Sequence, residues 1–386
     1  MFSEAVEINP YRPIKKGASV KFVSMADLKE YNKKIQGYVY RRYVGGSRFQ
    51  NNDTLMARIT PCLENGKTIF VDILGDNEIA AGSTEFIVLS EKEGKTISQY
   101  VYYLTVCPEV RDLAVKSMTG TSGRQRVETD IFKKIIVGLP DVSEQRAIAK
   151  ILSDLDEKIE LNHRMNKSLE SIAQALFQHW FVDFKLPGHE KTKFVNGLPE
   201  GWRLGVVGEE FNLTMGQSPP GETYNEIGEG LSFYQGRTDF GFRYPTERMF
   251  CSAPTRFANA CDTLISVRAP VGDVNMADSK CCIGRGVAAI RHKSNSRSYT
   301  YYRMLSLKPE FKNFEAEGTV FGSIGKTDFE NMKCVVPSLE FVKTFERLVF
   351  PIDQQIENNE RQLCALASIR DSLLPRLMSG RMRVNL

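Results

Sequence analysis

The chain has 386 residues, enough for two or three domains with cores of their own. Its 51 basic and 47 acidic residues leave a formal net charge of +4, which permits a polyanionic partner without demanding one. No stretch reaches the ~20 apolar residues needed to cross a bilayer, and the start of the chain lacks the pattern of a signal peptide, so a cytoplasmic protein with no membrane partner is expected.

Residues 1–139 read as a mixture of short strands, turns and a few helices. Basic and polar side chains cluster on the turns: Arg41, Arg42, Arg48, Arg58, Lys67 and the loop Thr121, Ser122, Gly123, Arg124, Gln125, Arg126. Residues 144–183 then predict one long helix after Pro140, capped by Ser143. Its apolar seam is Ile148, Leu152, Leu155, Ile159, Leu169, Ala173 and Leu176, at coiled-coil spacing, with Asn162 and Asn166 as polar seam positions. The aromatic run Phe177, Trp180, Phe181 and Phe184 predicts a clasp between the helix end and the next domain.

Residues 190–336 form a second mixed block. It opens on Leu198-Pro199-Glu200-Gly201-Trp202, which the first block lacks and which is expected to pack around the end of the first helix. Its turn clusters are Gln217, Ser218, Gln235, Arg237, Arg268, Arg285 and the loop Thr319 to Lys326 with Ser323. A second helix is predicted over 340–377, with the seam Phe345, Val349, Ile352, Ile356, Asn359, Leu363, Leu366 and Leu373. Arg370 is its outlier, and Pro351 predicts a kink or a late start.

The chain repeats itself. A shift of about 197 residues lays Pro140 on Pro337, and Asp156, Ile159, Glu160 and Asn162 on Asp353, Ile356, Glu357 and Asn359. Glu144 is matched with Glu340. Weaker echoes link the blocks: Asp53-Thr54-Leu55 before Arg58 with Asp262-Thr263-Leu264 before Arg268, and Tyr102-Tyr103 with Tyr301-Tyr302. Two copies of one element imply two related modules. Seams of equal length predict that the helices pack antiparallel on each other. An asparagine at the same seam position in each copy, Asn162 and Asn359, is expected to fix the register at some cost in stability. A helix of ~40 residues spans about 60 Å, so the pair reads as a ruler. Arg, Gln and Asn on strand-connecting loops suit phosphates and base edges, and clusters at matching places in both copies mark a candidate DNA surface.

Chemistry is hard to find. Gly66-Lys67-Thr68 lacks the earlier glycine of a phosphate-cradling loop, since Pro61 stands there. Glu64 and Lys67, with Asp53 upstream, have the spacing of a nuclease centre but flank a turn. Asn9-Pro10-Tyr11 also reads as a turn rather than a methyltransferase motif. The eight cysteines form no CxxC pair and predict reduced, mostly buried thiols; the four dispersed histidines predict no metal site.

These residues resemble the DNA specificity subunits of type I restriction–modification systems over nearly the whole chain. The resemblance rests on Phe49 to Lys67, Gly82-Ser83-Thr84-Glu85-Phe86, and Leu139-Pro140 followed by Glu144-Gln145. It rests also on Trp180-Phe181-Val182-Asp183-Phe184 and Leu198 to Trp202. It implies an α+β chain: two similar mixed α/β target-recognition domains, separated by two long helices packed as an antiparallel coiled coil. The implied boundaries are 1–140, 141–185 (first spacer helix), 186–337, and 338–386 (second spacer helix and tail). Each domain would read half of a split site in double-stranded DNA. The helices would set the gap and dock two methyltransferase subunits, and a motor–nuclease subunit would join for restriction. The chain itself would hold no cofactor; S-adenosylmethionine, ATP and Mg would belong to those partners. The second helix departs from the first in placing Phe341 where Gln145 is expected, and in holding Pro351. The competing classes are a self-sufficient DNA endonuclease or methyltransferase and a protein-bridging adaptor that ignores DNA.

Overall fold

Four helices organise the chain: α1 (Ser98–Val106), α2 (Val142–Phe181), α3 (Arg297–Ser306) and α4 (Leu339–Met378). The structure is a computed structural model that describes residues 1–316 and 322–384. It divides into two units, Met1–Leu161 with Leu363–Leu386, and Asn162–Gln362, so that α2 and α4 each contribute to both.

In the first unit an antiparallel sheet has the strand order Val6–Ile8, Phe86–Glu91, Thr54–Ala57, Thr68–Phe70. A second sheet is mixed: Ser19–Val23 pairs antiparallel with Val39–Arg42 and parallel with Ala80–Gly82. The two-residue alternation of strands decides the layers. Leu55, Ile69 and Val88 pack with Val23 and Phe49 between the sheets. Met56, Phe70, Ile87 and Leu89 turn the other way, onto α1 and the long helices. That second core takes Ile148 and Leu152 from α2 and Leu374 and Leu377 from α4, so the two helices run antiparallel here.

The second unit repeats the plan. Its antiparallel sheet runs Phe211–Met215, Val287–His292, Thr263–Ser266, Val274–Met276. A mixed sheet of five strands pairs Leu231–Tyr234 parallel with Cys281–Ile283. Leu264, Val287 and Ala289 face one way, and Ile265, Ala288 and Ile290 face α3 and the long helices. The aromatic run at the end of α2 is the clasp expected of it: Phe181 stacks on Trp202 at 5.6 Å, Phe184 meets Trp202 edge-on, and Phe177 meets Phe345 of α4. Full burial of each such ring contributes roughly 1.5–3 kcal/mol, more than any propensity difference within the helix.

Several local expectations are corrected. The cap of α2 is Asp141, whose Oδ1 accepts the Glu144 N–H at 2.9 Å; Ser143 already lies inside the helix. Helix α4 is continuous from Leu339 through Pro351, so there is no late start. The two long helices begin 197 residues apart, at Val142 and Leu339, so Glu144 corresponds to Phe341 and Gln145 to Val342. Buried Gln145 accepts the Ile97 N–H at 3.2 Å at the start of α1. In the second unit that service falls to Glu346, one turn beyond Val342, which accepts the Ser298 and Tyr299 N–H groups of α3. Burial pushes the Glu346 carboxyl up against the pull of those two donors.

The buried asparagine pair is Asn359 with Asn166, not with Asn162: Asn359 Nδ2 donates to Asn166 Oδ1 at 2.8 Å. Antiparallel helices do not set equivalent positions opposite each other, and the counterpart of Asn166 at the 197-residue shift is Leu363. Asn162 instead donates to Gln362 at 3.2 Å, and its own Oδ1 is buried without a partner. Five cysteines are buried, and all eight are free thiols.

Candidate nucleic-acid interface

In the first unit several of the sequence-predicted residues gather where one strand end meets a hairpin. Backbone bonds build the frame. The Arg58 N–H donates to Glu85 O at 2.9 Å, the Val127 N–H to Arg58 O at 2.8 Å, and the Thr60 N–H to Gln125 O at 3.0 Å. Ile59 bridges Arg126. The hairpin tip exposes Thr121, Ser122 and Arg124, and its turn needs Gly120 and Gly123, both at positive φ. Arg126 is half exposed and grips Glu85 with one edge of its guanidinium: Nη2 to Oε1 at 2.7 Å, and Nε to Oε2 at 3.0 Å. That guanidinium holds the Glu85 carboxyl below the usual range. Beside Glu85, the residues Ser83 and Thr84 line an open cleft of ≈ 520 Å3 shared with Arg41, Arg42, Gly45 and Gly46.

The second unit builds the same frame from different side chains. The Val267 N–H donates to Gly286 O at 2.9 Å, the Ile324 N–H to Val267 O at 3.1 Å, and the Ala269 N–H to Gly322 O at 2.9 Å. Arg268 bridges Ser323. Position by position, Val267 stands for Arg58, Arg268 for Ile59, Gly286 for Glu85 and Ser323 for Arg126. The expected match of Arg58 with Arg268 is therefore off by one. The parallel pairing of the mixed sheet extends the match: Val23 opposite Gly82 answers Tyr234 opposite Ile283, which sets Arg285 at the place of Thr84. Gln217 and Ser218 join this group, through the Gln217 N–H to Ile283 O at 3.0 Å and the Arg285 N–H to Ser218 Oγ at 3.3 Å. Gln235 O accepts the Gly286 N–H at 3.1 Å. Gln217, Gln235, Arg268, Arg285 and Ser323 are all exposed.

Other predicted residues are engaged elsewhere. Lys67 donates to Met25 O at 3.2 Å. Asp53 is buried against Arg12 at 2.6 Å and Ser90, so two of the three residues with nuclease-like spacing, Asp53 and Lys67, are spent on the fold, while Glu64 is exposed. Arg237 pairs with Asp273 at 2.6 Å and Lys326 with Glu330 at 3.5 Å. Arg48 lies half-buried over the Tyr11 ring. Arg58, by contrast, belongs to the frame by its backbone, and its side chain is half-buried with Nε lacking a partner. Thr319 lies outside the described residues.

Sequence reasoning missed what ties each mixed block to the helices. In the first unit the Tyr103 hydroxyl donates to Asp156 of α2, which also accepts from Arg370 of α4 at 2.9 Å. Lys33 donates to the Tyr103 oxygen at 3.0 Å, to Gln99 at 2.6 Å and to Ser153 at 3.1 Å. In the second unit Arg243 is fully buried, donating to Asp353 of α4 at 2.7 Å, to the Tyr302 oxygen at 3.0 Å and to Glu170 of α2 at 3.2 Å. Lys33 and Arg243 are counterparts: Phe70 donates its N–H to Lys33 O, and Met276 donates to Arg243 O. The doubled tyrosines and the repeated aspartate were the signal for this tie. The lysine and arginine carried none, because the loops that bear them differ in length.

Comparison with known proteins agrees with this architecture. The family model described as "Type I restriction modification DNA specificity domain" matches residues 10–171 and 257–366. The chain is 31% identical over 342 residues to a putative type I restriction enzyme specificity subunit, MjaX, of Methanocaldococcus jannaschii, covering 86% of this chain and 79% of that one. It is 23% identical over 403 residues to the HindI specificity subunit of Haemophilus influenzae, covering 86% of each. The fold matches the crystal structure of the S subunit of a type I restriction–modification system from M. genitalium, with a TM-score of 0.57 at 17% identity, over 98% of this chain and 94% of that one. The chain belongs to the type I restriction–modification DNA specificity family.

Proposed function

We propose that the chain is the non-catalytic, DNA-reading subunit of a type I restriction–modification assembly, and that each unit reads one half of a bipartite site. The observation that carries this reading is the paired framework. The same backbone bonds recur in both units, while the residues mounted on them change from exposed Arg126 and Thr84 with half-buried Glu85 to exposed Ser323 and Arg285 with buried Gly286. A fold kept constant beneath a changed polar surface is what two readers of different sequences need, since phosphate contacts position a protein while base-edge contacts specify the sequence. Helices α2 and α4 set the interval between the two halves. Two methyltransferase subunits bring S-adenosylmethionine, and a motor–nuclease subunit brings ATP and Mg.

Methylation-site sequencing in the source cell tests this directly. A split motif with a constant gap, lost when this gene is deleted, is expected. A single contiguous motif, or DNA turnover by the isolated chain, would overturn it.

A further inference from the structure

Resting on that reading, we propose that Arg126, braced by Glu85, reads a guanine in the half-site of the first unit, and that the second unit has no guanine reader at the corresponding place.

Three observations carry this. Arg126 sits on a hairpin strand fixed by the Ile59 bridge and by the Val127 N–H to Arg58 O bond, so its backbone does not wander. Glu85 takes the Nε and Nη2 side of the guanidinium, which fixes the plane and leaves the Nη1 donors and the second Nη2 donor outside that bidentate pair, on a side chain that is 44% exposed. A planar fork presented on its outer edge matches the O6 and N7 acceptors of guanine in the major groove. Finally, the pair is neutral as a whole. A carboxylate beside the arginine weakens its attraction for phosphate, so its use lies in geometry more than in charge. At the same framework positions the second unit carries Ser323 and Gly286, which offer no fork, while its arginine stands at position 285, where the first unit has Thr84.

The test uses the chain with the subunits it assembles with, and a panel of duplexes varied one base pair at a time. R126A should lose discrimination at a single G·C pair of one half-site by roughly 5- to 150-fold, with the other half-site read as before. R126K keeps the charge but not the fork and should not rescue it. E85Q, which keeps the shape of the brace, should lower discrimination less than R126A does. Uniform weakening on all sequences with a shallower salt dependence would make Arg126 a phosphate contact, as would full rescue by R126K. Loss at both half-sites would make it a folding residue; either result overturns the assignment. If the wild-type chain shows no sequence preference at all, the DNA-reading function fails with it; wild-type preference that survives R126A defeats only this assignment.

Discussion

The hydroxyl of Tyr103 donates to Asp156 at 2.6 Å, and at the repeat of that aspartate, 197 residues on, the same bond joins Tyr302 to Asp353 at 2.9 Å. The two ties differ in their cations. Asp353 faces Arg243, which is wholly enclosed, whereas Asp156 faces Arg370, whose side chain is 18% exposed and also reaches Asp371. Removing one partner of a buried pair strands the other, at a cost of about 3–5 kcal/mol; a hydrated survivor costs less. D353A should therefore lower the urea midpoint of its unit well beyond what D156A does in its own. Y302F should lie between wild type and D353A. Equal losses for the two aspartates would show that enclosure of Arg243 is not what makes its tie costly to break.

Lys33 gives the first unit a pH dependence of known sign. Burial pushes its ammonium down to about 8, against the pull of Asp156, from an ordinary value of 10.5. Between those values the folded chain has released the proton while the unfolded chain still holds it. The unfolded state then binds more protons, so stability contributed by this group rises with pH from about 8 to about 10.5 and is level below. Relative to K33M, the wild-type chain should gain stability between pH 7.5 and 9.5 in paired urea titrations. A constant difference across that range would mean that Lys33 titrates normally.

Much of this was legible because it is written twice. The seam positions, the tyrosine pair and the clasp of Phe181 on Trp202 follow from apolar spacing and from the repeat. Register within the repeat was harder. Arg58 and Arg268 look alike in one dimension, yet backbone bonding sets Arg58 against Val267, since a shift of one residue leaves strand composition almost unchanged. Arg243 could not be singled out at all. A lone arginine in a loop reads as a surface charge, and only the fold brings Asp353, Tyr302 and Glu170 around it.

The asparagine pair tests specificity against stability. Asn359 gives its amide to Asn166, and Asn166 in turn donates to Glu360 at 2.6 Å. N359L alone leaves Asn166 Oδ1 buried without its donor and should destabilise by about 1–3 kcal/mol. The double variant N166L/N359L replaces both partners and should regain that loss or exceed wild type in thermal midpoint, with more than one helix register visible by crosslinking. A double variant as unstable as N359L, in a single register, would show that the pair supplies stability rather than register.

Helix length should set the interval between half-sites. Helices α2 and α4 are each 40 residues long and unbroken. One heptad inserted into both, after Leu161 and after Gln362, adds about 10 Å of rise and turns each seam by only ~20°, so the antiparallel packing of each unit survives. Inserting into one helix alone would offset the two seams and is expected to unfold the pair. With the matched insertion the two half-sites should be unchanged in sequence while the unspecified gap grows by about three base pairs, at ~3.4 Å each. Methylation sequencing of cells carrying the insertion reads both quantities at once. An unaltered gap with both half-sites still recognised would mean that the interval is set by something other than the length of these helices.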